Sequence, residues 1–180
     1  MGAGASALTA DELEQMKEAS KFTEEDLKSL YKKFRSIDKD GNGTLSSDEF
    51  LAIPELAANP LLERVISIFD ADGNSQVDFT EFITALSTFH VGTDEEKLRF
   101  IFRVYDINAD GYITNGELFK VLKAMVGNNL TEVQLQQIVD KTILHADKDG
   151  DGKISFDEFL AMVGDDSSIS SKLVLQLPQS

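Results

Sequence analysis

The amino-acid sequence reads as an all-α protein of four helix–loop–helix repeats, set in two paired lobes, with a short β-bridge between the two loops of each pair. The first observation behind this reading is a twelve-residue pattern that recurs four times: Asp38-Lys-Asp-Gly-Asn-Gly-Thr-Leu-Ser-Ser-Asp-Glu49, Asp70-Ala-Asp-Gly-Asn-Ser-Gln-Val-Asp-Phe-Thr-Glu81, Asp106-Ile-Asn-Ala-Asp-Gly-Tyr-Ile-Thr-Asn-Gly-Glu117 and Asp147-Lys-Asp-Gly-Asp-Gly-Lys-Ile-Ser-Phe-Asp-Glu158. The starts lie 32, 36 and 41 residues apart, which leaves room for two helices and a connection between successive loops. The second is that apolar residues recur at helical spacing on both sides of every copy. The third is length: 180 residues suit one compact domain or two small lobes.

Leu27, Leu30, Tyr31, Phe34 and Ile37 mark the helix before the first loop, and Phe50, Leu51 and Ile53 follow that loop, with Pro54 expected to close the helix. Asn59-Pro60 opens the next helix by putting proline in its first turn, and Leu62, Val65, Ile66 and Phe69 form its inner face. Phe82, Ile83, Leu86 and Phe89 leave the second loop. His90-Val-Gly-Thr-Asp94 reads as the hinge between halves, and Thr93 with Glu96 forms the pattern of a capping box. Leu98, Ile101, Phe102 and Tyr105 precede the third loop, and Leu118, Phe119, Leu122 and Met125 follow it, with Gly127 as the stop. Thr131 and Gln134 cap the next helix, whose inner face carries Leu135, Ile138, Val139 and Ile143; Phe159, Leu160, Met162 and Val163 end the fourth repeat before Gly164. Position 8 of the loops holds Leu45, Val77, Ile113 and Ile154, side chains that favour extended backbone and predict pairing of loop one with two and of three with four. The expected organisation is a segment 1–22, lobes 23–90 and 91–164, and a tail 165–180.

Alternating oxygens in a twelve-residue loop suit a hard cation. Calcium takes six to eight oxygens at roughly 2.3–2.6 Å, and a loop of this length wraps it with positions 1, 3, 5, 7 and 9 and a bidentate Glu at position 12. The ligand sets are then Asp38, Asp40, Asn42, the Thr44 carbonyl and Glu49; Asp70, Asp72, Asn74, the Gln76 carbonyl and Glu81; Asp106, Asn108, Asp110, the Tyr112 carbonyl and Glu117; and Asp147, Asp149, Asp151, the Lys153 carbonyl and Glu158. Position 9 adds Ser46, Asp78, Thr114 and Ser155. Four Ca2+ sites are expected, and filling them would change the net charge from −15 to −7. Position 6, where the chain turns sharply, is Gly43, Gly111 and Gly152 in three loops and Ser75 in the second. A non-glycine residue there strains the turn on the order of 1 kcal/mol yet removes no ligand, so the second loop either binds calcium or serves as a structural partner to the first.

The same charge weighs against phosphate backbones and anionic lipid headgroups as partners, so nucleic acid is not expected. The absence of cysteine removes disulfides, thiol catalysis and thiolate zinc sites. His90 and His145 read as a hinge residue and a helix-end residue. No nucleophile–base pair, phosphate-cradling glycine loop or nicotinamide fingerprint accompanies them, so no catalysis is expected of this chain. The amino-terminal stretch lacks the basic and apolar regions of a secretory or transit peptide, which makes the cytoplasm the expected location. Met1-Gly2-Ala-Gly-Ala-Ser6 fits the myristoylation pattern at Gly2, and one such chain gives only weak membrane contact. The tail carries Leu173, Val174, Leu175 and Leu177 after a polar run, and either is disordered or folds back onto an apolar groove. Four Met against twelve Phe argue for a dedicated partner over the flexible Met-rich surface of a promiscuous sensor.

Several strings outside the loops resemble the calcineurin B family of EF-hand proteins: Pro54-Glu-Leu, Asn59-Pro-Leu, Arg64-Val-Ile, Glu96-Lys-Leu-Arg-Phe100, Asp110-Gly-Tyr-Ile, Asn115-Gly-Glu-Leu-Phe119, Met125-Val-Gly-Asn-Asn-Leu130 and Gln134-Leu-Gln-Gln-Ile-Val-Asp-Lys-Thr142. The likeness runs from about Phe22 to Gly164 and lies in helices and linkers that calcium chemistry does not dictate. It implies a regulatory subunit of a calcium- and calmodulin-dependent serine/threonine phosphatase, in which a long amphipathic helix of the catalytic A subunit holds the two chains together. It also implies myristate on Gly2. The ridge Leu122, Met125 and Val126, with Asn129 in the turn after it, reads from spacing as core. The resemblance implies instead a pocket shared with the A subunit, where substrate docking motifs and immunophilin–drug complexes bind. The alternatives are a calcineurin B homologous or neuronal-sensor-type protein, or a simple cytosolic calcium buffer.

Overall fold

The computed structural model describes residues 8–90 and 92–165; Gly2 and the tail beyond 165 lie outside them. The chain divides into two compact units between Thr93 and Asp94.

The first unit begins with a helix that apolar spacing did not reveal, α1 (Ala10–Ser20). Thr9 starts it with a capping box: its hydroxyl oxygen accepts from the Glu12 N–H, and the Glu12 carboxylate accepts from the Thr9 N–H at 2.8 Å. Lys21 ends it in the left-handed region at φ 58°. Helix α2 (Glu24–Ile37) follows, capped by Thr23 and Asp26 in the same manner. The first loop then leads through β1 (Thr44–Leu45) into α3 (Ser47–Leu51). Pro54 does not close this helix: α3 ends at Leu51, and Pro54 begins a separate single turn, α4 (Pro54–Ala57), where its missing N–H costs no bond. Pro60 likewise falls outside α5 (Leu62–Phe69), because the Asn59 side chain accepts from the Leu61 N–H at 2.9 Å and holds a turn there. The second loop passes through β2 (Val77–Asp78) into α6 (Phe79–His90). Leu45 pairs with Val77 across the antiparallel bridge, and both are fully buried.

Phe34, Phe79 and Phe82 form the aromatic centre of this unit, with edge-on ring contacts of 5.2 and 5.5 Å from Phe34. Leu27, Val65, Ile66 and Ile83 close around it. Helix α1 packs on α6 and α2. Its carboxyl end is pinned there: Ser20 is buried, its hydroxyl donates to the Met16 carbonyl at 2.5 Å, and its own carbonyl accepts from the Ser87 hydroxyl.

The second unit repeats the plan with α7 (Asp94–Tyr105), β3 (Tyr112–Thr114), α8 (Asn115–Val126), α9 (Glu132–Ala146), β4 (Lys153–Ser155) and α10 (Phe156–Asp165). Ile113 faces Ile154 in the β3–β4 bridge. Phe102, Phe156 and Phe159 take the places of the three rings of the first unit, at 5.4 and 5.5 Å from Phe102. Two inner-face expectations change. Ile138 stands 44% exposed, since Leu135, Val139 and Ile143 already fill the inner stripe of α9. On α8 the deeply buried residues are Leu118 and Val121, which leaves Phe119 and Leu122 half-buried and Met125 41% exposed. No described helix is long and apolar enough to cross a membrane.

Candidate calcium centres

Each loop places its position-12 glutamate by the same local rule. Position 9 caps the outgoing helix, and position 12 is the third residue of that helix, so one Glu serves both the capping box and the loop. Glu49 shows the arrangement: one carboxylate oxygen accepts from the Ser46 N–H at 2.9 Å and the Ser46 hydroxyl at 2.8 Å, while the other reaches back to the Lys39 N–H at 2.8 Å. Glu117 does the same with Thr114 and the Ile107 N–H, Glu158 with Ser155 and the Lys148 N–H, and Glu81 with the N–H groups of Asp78 and Ala71. At Glu49, Glu117 and Glu158 these donors favour the ionised carboxylate. The Ser155 and Lys148 N–H groups bring the Glu158 pKa down to about 2. Burial pushes Glu49 and Glu117 upward, but hydrogen bonds from Ser46 and Lys39, and from Thr114, Asn108 and Ile107, leave both below the ordinary value.

Position 1 turns its carboxylate inward to the loop amides. Asp70 accepts from Asn74 and Ser75, Asp106 from Asp110 and Gly111, and Asp147 from Gly150 and Gly152, all between 2.7 and 3.1 Å. Positions 3 and 5 fold onto the following N–H groups in turn: Asp40 accepts from Asn42 at 3.0 Å and Asn42 from Thr44 at 2.7 Å. Three carboxylates converge to within 4.8 Å in loop one (Asp38, Asp40, Glu49), loop two (Asp70, Asp72, Glu81) and loop four (Asp147, Asp149, Asp151). Loop three forms no such trio among the described residues; Asn108 stands where the others carry Asp, and its amide donates to Asp110 at 3.0 Å. Asp78 caps the Glu81 N–H at 2.8 Å and lies outside the loop-two trio.

Backbone strain differs among the loops. Gly43, Gly111 and Gly152 adopt φ of 88°, 88° and 80°, and Ser75 is held at the same turn with φ 66°. Ala109, at position 4 of the third loop, sits at φ 56°, where the first, second and fourth loops have glycine. Each of these two non-glycine residues carries a left-handed penalty of about 1–2 kcal/mol. The position-6 glycine rule exposes Ser75 in the sequence and passes over Ala109, whose signal is the glycine that the other three loops carry at position 4.

The donor sets are hard oxygens with no thiolate or imidazole, which suits calcium. The clearest sign of fit is Asp38. Its side chain is wholly withdrawn from solvent, one oxygen accepts from Gly43 at 3.1 Å and from Arg35 at 2.7 Å, and Oδ1 has no hydrogen-bond partner. A buried bare carboxylate oxygen on a residue grouped with two further carboxylates is a position for a cation. Two such charges 4 Å apart repel by about 4 kcal/mol at an effective dielectric of 20, which a bound cation relieves.

Leu122, Met125, Val126 and Asn129 occupy the carboxyl end of α8 and the turn after it. Leu122 and Val126 are half-buried, Met125 and Asn129 are exposed, and the Tyr105 hydroxyl lies 4.0 Å from the Met125 sulfur. Gly127 caps α8 with its N–H donating to the Lys123 carbonyl at 2.9 Å, and Asn129 donates to the Val126 carbonyl at 3.1 Å.

Comparison with known proteins agrees with this architecture. A family profile described as an EF-hand domain pair matches residues 27–87 and again 95–164. Calcineurin B of Naegleria gruberi is 59% identical over 178 residues, 98% of this chain and all of that protein. Calcineurin B type 1 of Dictyostelium discoideum is 59% identical over 174 residues, covering 96% and 97% of the two chains, and human calcineurin B type 2 is 58% identical over 157 residues, covering 87% and 92%. The likeness thus extends beyond the Phe22–Gly164 stretch into the flanking segments. Paired EF-hands with clustered loop carboxylates make this a calcium-binding protein, and it belongs to the calcineurin B family.

Proposed function

We infer that this chain is the calcium-binding regulatory subunit of a calcineurin-type serine/threonine phosphatase, acting in the cytoplasm, with catalysis on a separate A subunit. The observation that carries the reading is 59% identity to proteins named calcineurin B over nearly the whole length of both chains. All four loops bind Ca2+ through the side chains at positions 1, 3, 5 and 12 and the position-7 carbonyl. Bound calcium neutralises the gathered carboxylates and so relieves their repulsion. The loop residues couple that event to the fold, because Glu49, Glu81, Glu117 and Glu158 are each residues of an outgoing helix, and any pull on the carboxylate acts on that helix. An amphipathic helix of the catalytic chain is the expected partner, and Gly2 is the proposed site of myristate, to be read as one myristoyl group in the intact mass after co-expression with the transferase. Affinity capture in calcium and in chelator tests the assignment. A phosphatase catalytic chain should be retained, whereas capture of a transporter or membrane fraction, or of nothing, would contradict it.

The α8 ridge of Leu122, Met125 and Val126, with Asn129 at its rim, completes a docking pocket for short substrate motifs and immunophilin–drug complexes. Exposure of Met125 at the end of α8 supports this, since a core role would bury it. Met125→Glu should therefore weaken binding of a docking peptide about tenfold, the loss of one well-placed apolar contact. Calcium binding, assembly with the catalytic chain and hydrolysis of a small phosphate ester should persist. If all of these fall together, Met125 is structural and the pocket is misassigned.

A further inference from the structure

We propose that Arg35 is a built-in counter-ion of the first calcium loop: it stabilises the loop before metal arrives and lowers the loop's affinity for calcium. The inference rests on the reading of loop one as a calcium site and goes beyond it by naming a residue outside the twelve-residue pattern.

Arg35 lies in the last turn of α2, where a cation also meets the negative end of the helix dipole. Its Nη1 donates to Oδ2 of Asp38, three residues on, at 2.7 Å, with the Arg35 side chain 29% exposed and that of Asp38 not exposed at all. The two oxygens of Asp38 are therefore divided. Oδ2 is held by Arg35 and by the Gly43 N–H, and Oδ1 is the one buried side-chain polar atom among the described residues with no partner. In the second and fourth loops the corresponding Oδ1 accepts from Asn74 or Gly150, and the residues placed like Arg35 are Ser67 and Leu144; Arg103 stands at that place before the third loop.

A buried carboxylate without a counter-charge is costly, so Arg35 offsets that cost in the metal-free loop. A cation on Oδ1 then shares one carboxylate with the guanidinium, and two positive charges on the same group repel. Orientation of Asp38 does not depend on Arg35 alone, since the Gly43 N–H remains on Oδ2. Removing the charge should consequently change affinity through electrostatics more than through geometry.

The test uses the full-length chain as wild type, Arg35→Gln and Arg35→Lys. Gln keeps an N–H donor and removes the charge, whereas Lys keeps the charge. The amide NMR resonance of Gly43, bonded to Asp38, reports the first loop during a calcium titration. In Arg35→Gln the midpoint should move to lower calcium by about three- to tenfold, while Arg35→Lys stays within about twofold of wild type. The metal-free Gln variant should also unfold its first unit at a lower temperature. Equal or weaker calcium binding in Arg35→Gln, or a Lys variant that behaves like Gln, overturns the inference while the calcium site stands. A wild-type Gly43 resonance that ignores calcium overturns both the site and the inference.

Discussion

Glu158→Gln should abolish calcium binding in the fourth loop under conditions that saturate the wild type, a loss of about 3 kcal/mol or roughly a hundredfold in affinity. The substitution exchanges a bidentate anion for an amide, so the ion loses one oxygen and one negative charge and meets an NH2 group in return. The change is also felt in the loop itself. The two Glu158 oxygens accept from Lys148 on one side and Ser155 on the other, and an amide can accept on only one. Because Ile113 pairs with Ile154, a smaller weakening of the third loop should accompany it. Titration calorimetry of the variant reads both; an unchanged fourth site would show the ligand assignment to be wrong.

Phe159→Ala should unfold the second unit, or nearly so. Phe159 is 2% exposed and packs edge-on against Phe102 at 5.5 Å and beside Phe156 at 6.4 Å. Deleting a buried Phe costs about 3–5 kcal/mol through lost transfer energy and the cavity left behind. That is a large share of the roughly 5–15 kcal/mol that holds a whole domain. Urea unfolding followed by near-ultraviolet and far-ultraviolet signals should lose the second unit first. The first unit has its own aromatic centre at Phe34, Phe79 and Phe82 and should unfold as before. Val133→Ala, at a side chain 69% exposed, serves as the comparison and should shift stability by less than about 0.5 kcal/mol. Equal loss in both variants would mean that the packing described for Phe159 does not carry the unit.

The parts of the fold that sequence makes plain are those governed by a strict repeat. Ligand positions recur every two residues, the bridge residue always stands at position 8, and the capping Ser, Thr or Asp always stands three before the closing Glu, so loops, bridges and outgoing helices follow directly. Where no repeat operates, local rules compete. Pro54 can end one helix or begin another, and only the short α3 decides for the second. Helix α1 announces itself through Thr9 and Glu12, a capping box without a strong apolar stripe behind it, so periodicity passes over it. On α8, Val121 and Leu122 are both plausible core positions by spacing; burial selects Val121 and turns Leu122 and Met125 toward the surface. The bond between Arg35 and Asp38 has the i,i+3 spacing that favours such a pair, but the burial of Asp38 that gives it weight appears only in the structure.

Calcium stoichiometry of the intact chain, by titration calorimetry checked against native mass, bears most directly on the claim that four loops hold four ions. The third and fourth loops, which both keep glycine at the position-6 turn, are expected to fill first, the fourth also through its three Asp and closing Glu. The second is expected to fill despite the strained turn at Ser75, because Asp70, Asp72 and Glu81 already converge within 4.8 Å. Four ions per chain is the predicted result; two or fewer would contradict it.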